Sequence, residues 1–297
     1  MNLPNFMCIG AAKSGTTTLY DIIKQHPDVY VSPYKEPHFF DNINLFENGI
    51  DWYNKTFFSD VKNEKCIFDF TPSYLFNENA PKRIFNLLGK KMKFIIILRN
   101  PVDRAYSHYL HSVRDENEDL SFQTAINEEK KRILSYRKEN KYHKELKASY
   151  ISQGMYGKMV KNYLNFFPKS SFLFIHFEED LVVERSKTIK KVLDFLSLDN
   201  SKSLNIYIKS NSASKVRYKW IMRLLKSSGW WRKLIKKLIF SYKWRQIIKD
   251  KLHRINIISF TPKPLSKKIK SKVYQMFFLN DIKKLEGIID RKMNWQK

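Results

Sequence analysis

The segment Phe6-Met-Cys-Ile-Gly-Ala-Ala-Lys13-Ser-Gly-Thr-Thr-Thr18-Leu-Tyr20 constrains this chain more than any other stretch. A short apolar run enters a Gly/Ser/Thr loop carrying one lysine, and the loop leaves in a helical pattern. That order reads as a strand, an anion-binding loop and a helix N-terminus, because the first N–H groups of a helix lack partners and its dipole favours negative charge there. Gly10 and Gly15 let the backbone turn its N–H groups inward, with Ser14 between Lys13 and Gly15. Thr16, Thr17 and Thr18 are placed to cap the first turn and to offer hydroxyls to phosphate oxygens. A nucleotide phosphate is the ligand this favours; a plain strand-to-helix turn with a solvated lysine is the competing reading.

The position of the lysine narrows the class of loop. In G-x-x-x-x-G-K-[ST], the triphosphatase pattern, lysine follows the second glycine; here Thr16 stands there and Lys13 lies inside the loop. A second segment points the same way. Lys93-Phe-Ile-Ile-Ile-Leu98 is a continuous apolar run, expected of a central parallel strand covered on both faces, and it ends in Arg99-Asn-Pro101. A triphosphatase would place a magnesium-serving acid at such a strand end. Here a cation stands there, and Ser107 follows on a helical stretch, so both can face the crevice at the carboxyl ends of the strands. Two phosphate sites without a metal carboxylate suggest a ligand with two separate phosphate groups. Pairing of Arg99 with an acidic neighbour is the alternative.

Strand and helix patterns keep alternating: Gly154 to Phe167 reads as a helix stopped by Pro168, and Ser171-Phe-Leu-Phe-Ile-His176 as another buried strand. The expected fold class is α/β, a P-loop-like central parallel sheet with helices on both faces and a basic helical C-terminal region. Arg114 to Lys147, highly charged around the apolar patch Leu120–Ile126, reads as a helical flap beside the ligand crevice.

Together, Lys13-Ser-Gly-Thr-Thr17, Lys35-Glu-Pro-His-Phe-Phe40, Arg99-Asn-Pro101 with Ser107, and Tyr156-Gly157 followed by Phe166-Phe-Pro168 resemble the motifs of sulfotransferases that use 3′-phosphoadenosine 5′-phosphosulfate. The likeness is to the carbohydrate branch, similar to heparan sulfate sulfotransferases and bacterial relatives. It runs from about Phe6 to Leu196 and returns in Asn211-Ser-Ala-Ser-Lys215, in Asp281–Glu286 and in Trp295. The resemblance implies that the first loop holds the 5′-phosphosulfate and that Arg99 and Ser107 bind the 3′-phosphate. It makes Lys215 and Arg217, in a late nucleotide-covering loop, further candidates for that phosphate; a mobile basic loop is the plain reading.

Sulfonyl transfer needs an in-line nucleophile, stabilised equatorial oxygens and a neutralised leaving phosphate. Lys13 suits the last two tasks. A hydroxyl acceptor needs a base, and Glu36 is placed for it: it follows the alternating Asp28–Ser32 near a second strand exit, and Pro37 is expected to hold its backbone extended. A glutamate in the corresponding Lys-Glu-x-His-Phe-Phe motif is the base in the resembling enzymes. His38 is the second candidate base, against an ordinary structural role beside two phenylalanines. Lys35 either steadies the sulfate or is solvated. In Phe68-Asp69-Phe70-Thr71-Pro72-Ser-Tyr74 the chain departs from the family: Phe70 occupies a position where many relatives carry a substrate-side lysine. Thr71 and Tyr74 line the acceptor cleft or simply form a turn with a packed aromatic.

The 297 residues suffice for one such domain: a nucleotide-binding core over 1–210, a basic amphipathic insertion over 215–254 and C-terminal helices over 262–297 that return to the core. No apolar run approaches the roughly 20 residues that span a bilayer, and Met1–Asn5 lacks a signal-peptide pattern, so a cytoplasmic location is expected. Cys8 and Cys66 are the only cysteines; both read as reduced core residues, and no metal spacing accompanies them.

Lys and Arg total 55 against 29 acidic residues, a net charge of +26. The excess is concentrated between Lys215 and Arg254, where Trp220, Ile221, Leu224, Leu225, Trp230, Trp231, Leu234, Ile235, Leu238 and Ile239 alternate with Lys and Arg around one acid, Asp250. Such a stripe lies on an anionic membrane surface at the inner face, holds an anionic glycan, or packs on the core with its lysines solvated. The expected function is sulfonyl transfer from 3′-phosphoadenosine 5′-phosphosulfate, without a metal, to a carbohydrate or glycolipid acceptor. A kinase or triphosphatase using Asp69, and a basic membrane- or nucleic-acid-binding module, are the other classes. The module leaves Lys13 and Arg99 without a role; specific nucleic-acid binding is not expected, and oligomeric state is open.

Overall fold

A computed structural model describes residues 1–208, 214–218 and 255–296. At its centre lie five parallel strands in the order β2-β3-β1-β4-β5: β1 Phe6–Gly10, β2 Val29–Val31, β3 Cys66–Phe70, β4 Lys93–Leu98 and β5 Phe172–His176. The buried runs of β1 and β4 take the two middle positions after β3, pairing Phe6 with Lys93 and Cys8 with Ile95. Successive side chains of a strand point to opposite faces, so an apolar run without alternation must be covered twice. It is. Met7, Ile9, Phe94, Ile96 and Leu98 enter one core, and Phe6, Cys8, Ile95 and Ile97 the other.

The second core is closed by α1 (Thr16–Ile23) through Leu19, Ile22 and Ile23, together with Ile189, Val192 and Leu193 from the helix Arg185–Phe195. The first core receives Tyr53 and Phe57 from the helix Gly49–Phe57, which follows the short turn of helix Ile43–Phe46, and Ile84 from the helix Ala80–Leu88. In chain order these are α2, α3 and α4. They are followed by α5 (Pro101–Arg114), α6 (Phe122–Lys138), α7 (Tyr142–Ala148), α8 (Tyr156–Leu164), α9 (Arg185–Phe195), α10 (Lys267–Val273) and α11 (Leu279–Ile289). The charged stretch 114–147 is helical as expected, α6 lying against α7.

The C-terminal helices dock on the sheet's helical cover. Asp281 of α11 accepts from the N–H groups of Gly157 and Lys158 at 2.7 and 2.9 Å, which caps α8 from outside its own chain segment. Lys270 of α10 pairs with Asp103 of α5 at 2.6 Å. A two-stranded antiparallel ribbon, β6 (Ser214–Val216) with β7 (Ile257–Ser259), lies beside α5. Most of the 215–254 segment, with Trp230 and Trp231, lies outside the described residues. Among those described, no helix is long and apolar enough to cross a membrane. Both cysteines are free and buried; burial pushes the Cys8 thiol up to about 12, which suits a core side chain.

Candidate active site

β1 and β4 are neighbours whose onward connections leave in opposite directions, β1 toward β2 and β4 toward β5. That divergence opens a crevice at the carboxyl ends of the two strands, where open α/β sheets bind ligands. The two loops read from the sequence meet there. Arg99, at the end of β4, donates from Nη1 to the Lys13 carbonyl at 2.8 Å, and its guanidinium lies over the Phe177 ring at 5.1 Å. No acidic side chain pairs with Arg99 among the described residues, so ion pairing does not account for it. Tyr156 Oη donates to the Arg99 carbonyl at 2.9 Å, tying α8 to the same corner.

The loop turns through left-handed backbone at Lys13 (φ 68°) and Gly15 (φ 88°). Gly15 is also required for space: a Cβ there would stand 2.8 Å from the Phe177 ring and 2.9 Å from Leu181. Gly10 serves space alone, since a Cβ would meet Leu75 at 2.8 Å. The expected threonine cap is not found. Gly15 is the N-cap residue and no side chain caps α1, while Thr16, Thr17 and Thr18 form its first turn with Thr16 buried. A left-handed glycine presents backbone N–H groups directly to the crevice, a task a threonine cap would oppose by bonding them itself. Ser14 Oγ is fully buried beside the Tyr156 hydroxyl with no well-formed hydrogen bond. A cation, uncapped helix-terminal N–H groups and a buried hydroxyl in need of a partner fit an anionic group.

Charge confirms the character of the crevice. Burial, together with the cations Arg114 and Lys147, lowers Lys13 to about 8 against the opposing charges of Glu36 and Asp115. His111 is held down at about 2 by burial and by Lys13, so it stays neutral. Ser107 sits half-buried on α5, two turns beyond Arg99. Arg217 is exposed, its backbone N–H donating to Asn256 O at 2.7 Å in the ribbon beside α5. Lys215 is in β6, and its side chain lies outside the described residues.

Glu36 enters from the far side of β1, on the loop that leaves β2. Its backbone is left-handed (φ 65°), not extended as the following proline predicts, and His38 across Pro37 is left-handed as well (φ 55°). Two such non-glycine residues cost of order 1–3 kcal/mol each and persist only where the surroundings over-determine them. Here they do. Lys35 Nζ contacts Glu36 Oε1 at 2.5 Å, and His38 Nε2 lies 3.8 Å from Glu36 Oε2. On its other side, His38 Nδ1 meets buried Asp41 at 3.1 Å and Ser73 Oγ at 3.2 Å, and Ser73 donates to Asp41 at 2.5 Å. Burial disfavours the His38 cation, but its hydrogen bond to Asp41 and the charges of Asp41 and Glu36 raise its pKa overall. Burial would raise Glu36; the charges of Lys35 and His38, the Lys35 hydrogen bond and the charge of Lys147 outweigh it and lower the carboxyl.

Two expected site residues fall elsewhere. Thr71 and Tyr74 are fully buried and both donate to Asp69, at 2.6 and 2.8 Å, so the packed turn is their role and they do not line the cleft. Tyr53 donates to the same carboxylate at 2.6 Å. Three hydroxyls thus occupy Asp69, whose carboxyl burial raises to about 6, and it is no magnesium acid at a strand end. Sequence reading missed Asp41 and Ser73. The His38-x-x-Asp41 spacing was a signal for the first; Ser73 has none, being brought from β3.

The family model described as a sulfotransferase domain matches residues 3–244. Heparan sulfate glucosamine 3-O-sulfotransferase 3B1 of Mus musculus is 32% identical over 196 residues, 66% of this chain and 46% of that protein. The membrane-associated sulfotransferase kil1 of Dictyostelium discoideum is 39% identical over 135 residues, 43% of this chain and 28% of that one. The chain thus spans about half the length, or less, of these curated relatives. A crystal structure of a sulfotransferase from Alicyclobacillus acidocaldarius superposes with a TM-score of 0.70 at 26% identity, covering 100% of both chains. With the loop, the strand-end arginine and the glutamate on one rim, and a family model covering most of its length, the chain belongs to the sulfotransferase domain family.

Proposed function

We propose that this protein transfers a sulfonyl group from 3′-phosphoadenosine 5′-phosphosulfate to a hydroxyl of a carbohydrate acceptor, with Glu36 as general base. The observation that carries this is that the Lys13 loop and Glu36, its carboxyl lowered against burial by Lys35 and His38, lie at the same carboxyl edge of the parallel sheet. When bound, the donor supplies a sulfonyl group on a phosphate leaving oxygen. Lys13 and the N–H groups that open α1 are suited to stabilise charge developing at that end of the site, while Arg99 and Ser107 are assigned to the donor's second phosphate.

Glu36 accepts the proton of the acceptor hydroxyl. Lys35 and His38 keep it ionised at neutral pH, so it is always ready but weakly basic, and its contribution rests on position. Asp41 and Ser73 orient His38, which holds the outer oxygen of Glu36 and is a positioning residue in this reading. The carbohydrate acceptor is supported by the relatives named as heparan sulfate glucosamine sulfotransferases. Peripheral contact with an anionic membrane is supported by the basic stripe of 215–254 and by the membrane-associated relative.

The test is transfer of labelled sulfonyl to a saccharide panel by wild type and by Glu36→Gln, beside thermal shifts with adenosine 3′,5′-bisphosphate and with ATP plus magnesium. Stabilisation by the bisphosphate alone and turnover lost in the variant are expected. Stabilisation only by ATP with magnesium overturns the reading.

A further inference from the structure

Arg99 is held more firmly by its backbone than by its side chain. Among the described residues its guanidinium makes one hydrogen bond, to the Lys13 carbonyl at 2.8 Å, and rests on the Phe177 ring. The turn that carries it is fixed from several sides. Tyr156 Oη donates to the Arg99 carbonyl at 2.9 Å, and every polar group of the next residue, Asn100, is engaged. Its N–H donates to Glu178 Oε1 at 2.9 Å, its carbonyl accepts from Arg104 N at 2.9 Å, its Oδ1 caps α5 through Val102 N at 3.0 Å, and its Nδ2 donates to the Trp295 carbonyl at 3.2 Å.

Two of those partners come from outside the β4–α5 unit, and they meet one another. Trp295 Nε1 donates to Glu178 Oε2 at 3.2 Å, so one carboxylate joins the 291–296 segment to the Asn100 N–H. The segment is anchored before this contact as well: Arg291 pairs with Asp180 at 2.6 Å and Glu179 at 3.0 Å, and buried His176 lies 3.0 Å from the Met293 carbonyl oxygen. The buried Trp295 ring packs at 5.2 Å from His176 and 5.9 Å from Tyr156. Closing the core requires that ring. It does not require the ring's N–H to reach a carboxylate that is 37% exposed and also holds the Asn100 N–H. A turn ordered before the ligand arrives spares the ordering cost that a loose one would pay on binding.

We infer that Trp295 is a positioning residue for the donor: through Glu178 and through its own carbonyl it fixes the Arg99–Asn100 turn, and so sets how tightly the protein takes a second phosphate beyond the one met by the Lys13 loop. The inference rests on the proposed function and names the element that enforces its preference for a doubly phosphorylated nucleotide.

Trp295→Phe keeps a ring and deletes the N–H. Calorimetry is run on wild type and variant with adenosine 3′,5′-bisphosphate and with adenosine 5′-phosphate. Wild type should prefer the bisphosphate; the variant should bind it about threefold to tenfold more weakly, the worth of one hydrogen bond, with 5′-phosphate affinity unchanged. Equal loss for both nucleotides, or loss for neither, overturns the inference and leaves the proposed function standing. A wild type that binds both alike overturns the proposed function, and the inference with it. Coupling between sites is reciprocal, so wild type alone gives a second reading if the variant misfolds. The bisphosphate should slow amide hydrogen exchange in 293–296 as well as in 100–104, and adenosine 5′-phosphate should leave 293–296 unchanged. Exchange in 293–296 slowed by both nucleotides alike, or by neither, overturns the inference.

Discussion

The Lys13 loop and the Glu36 loop leave the carboxyl ends of β1 and β2, with β3 between those strands, and they are built in opposite ways. The first is held by its immediate surroundings: a strand before it, a helix after it, and Arg99 from the adjacent strand on its carbonyl. The second is held from a distance. Asp41 and Ser73 from the β3 turn hold His38 and through it Glu36, and Tyr142 from α7 donates to Asp41. Each uses left-handed non-glycine backbone, at Lys13 in one and at Glu36 and His38 in the other. What differs is the source of the restraint. A phosphate loop needs N–H groups turned one way, which local geometry supplies; a base needs a carboxylate fixed in place and charge state, which neighbours must supply.

The division makes the two loops separable. Glu36→Gln keeps the side chain's shape and removes its basicity, so kcat should fall by about 10²–10⁴-fold with bisphosphate affinity unchanged. A matching loss of affinity, read by calorimetry, would break the separation.

Lys13→Ala should do the reverse first, weakening bisphosphate affinity by about 10–100-fold through loss of a charge-assisted contact. The pH response sharpens this. Lys13 binds anions only while protonated, and its pKa is lowered to about 8, so affinity in wild type should fall as pH rises through about 8. In Lys13→Arg, which stays charged, the fall should vanish.

Removing the cation from the base loop should have a smaller effect of definite sign. Lys35 lowers the Glu36 carboxyl, so Lys35→Met raises it and shifts the acid limb of kcat/KM toward higher pH. His38→Ala removes the second cation and should shift the same limb the same way, with about a tenfold loss of kcat from misplacement of the carboxylate. A limb that stays put in both variants would mean that Glu36 is not the titrating base. Tyr142→Phe deletes one 3.3 Å contact to Asp41 and should change kcat by no more than about threefold, the worth of a single weak hydrogen bond.

Much of this was legible in advance. The unbroken apolar runs of β1 and β4 foretell doubly covered parallel strands, and Gly15 with Lys13 foretells the anion loop, because both depend on residues near one another in the chain. The errors share a cause. Thr16–Thr18 as caps and an extended Glu36 were both inferred from local propensity, and each was overridden by packing: Gly15 against Phe177, Lys35 and His38 about Glu36.

The sequence by itself determined the fold class, the cations Lys13 and Arg99 at the strand ends and the identity of the candidate base, since strand burial and loop chemistry are written in contiguous residues. Only the tertiary structure decided that Asp69 is a structural hub and that His38 supports Glu36 through Asp41 and Ser73. Those roles depend on which distant side chains arrive at one point and on how burial and neighbouring charge set their protonation. Neither quantity belongs to any residue until the chain has folded.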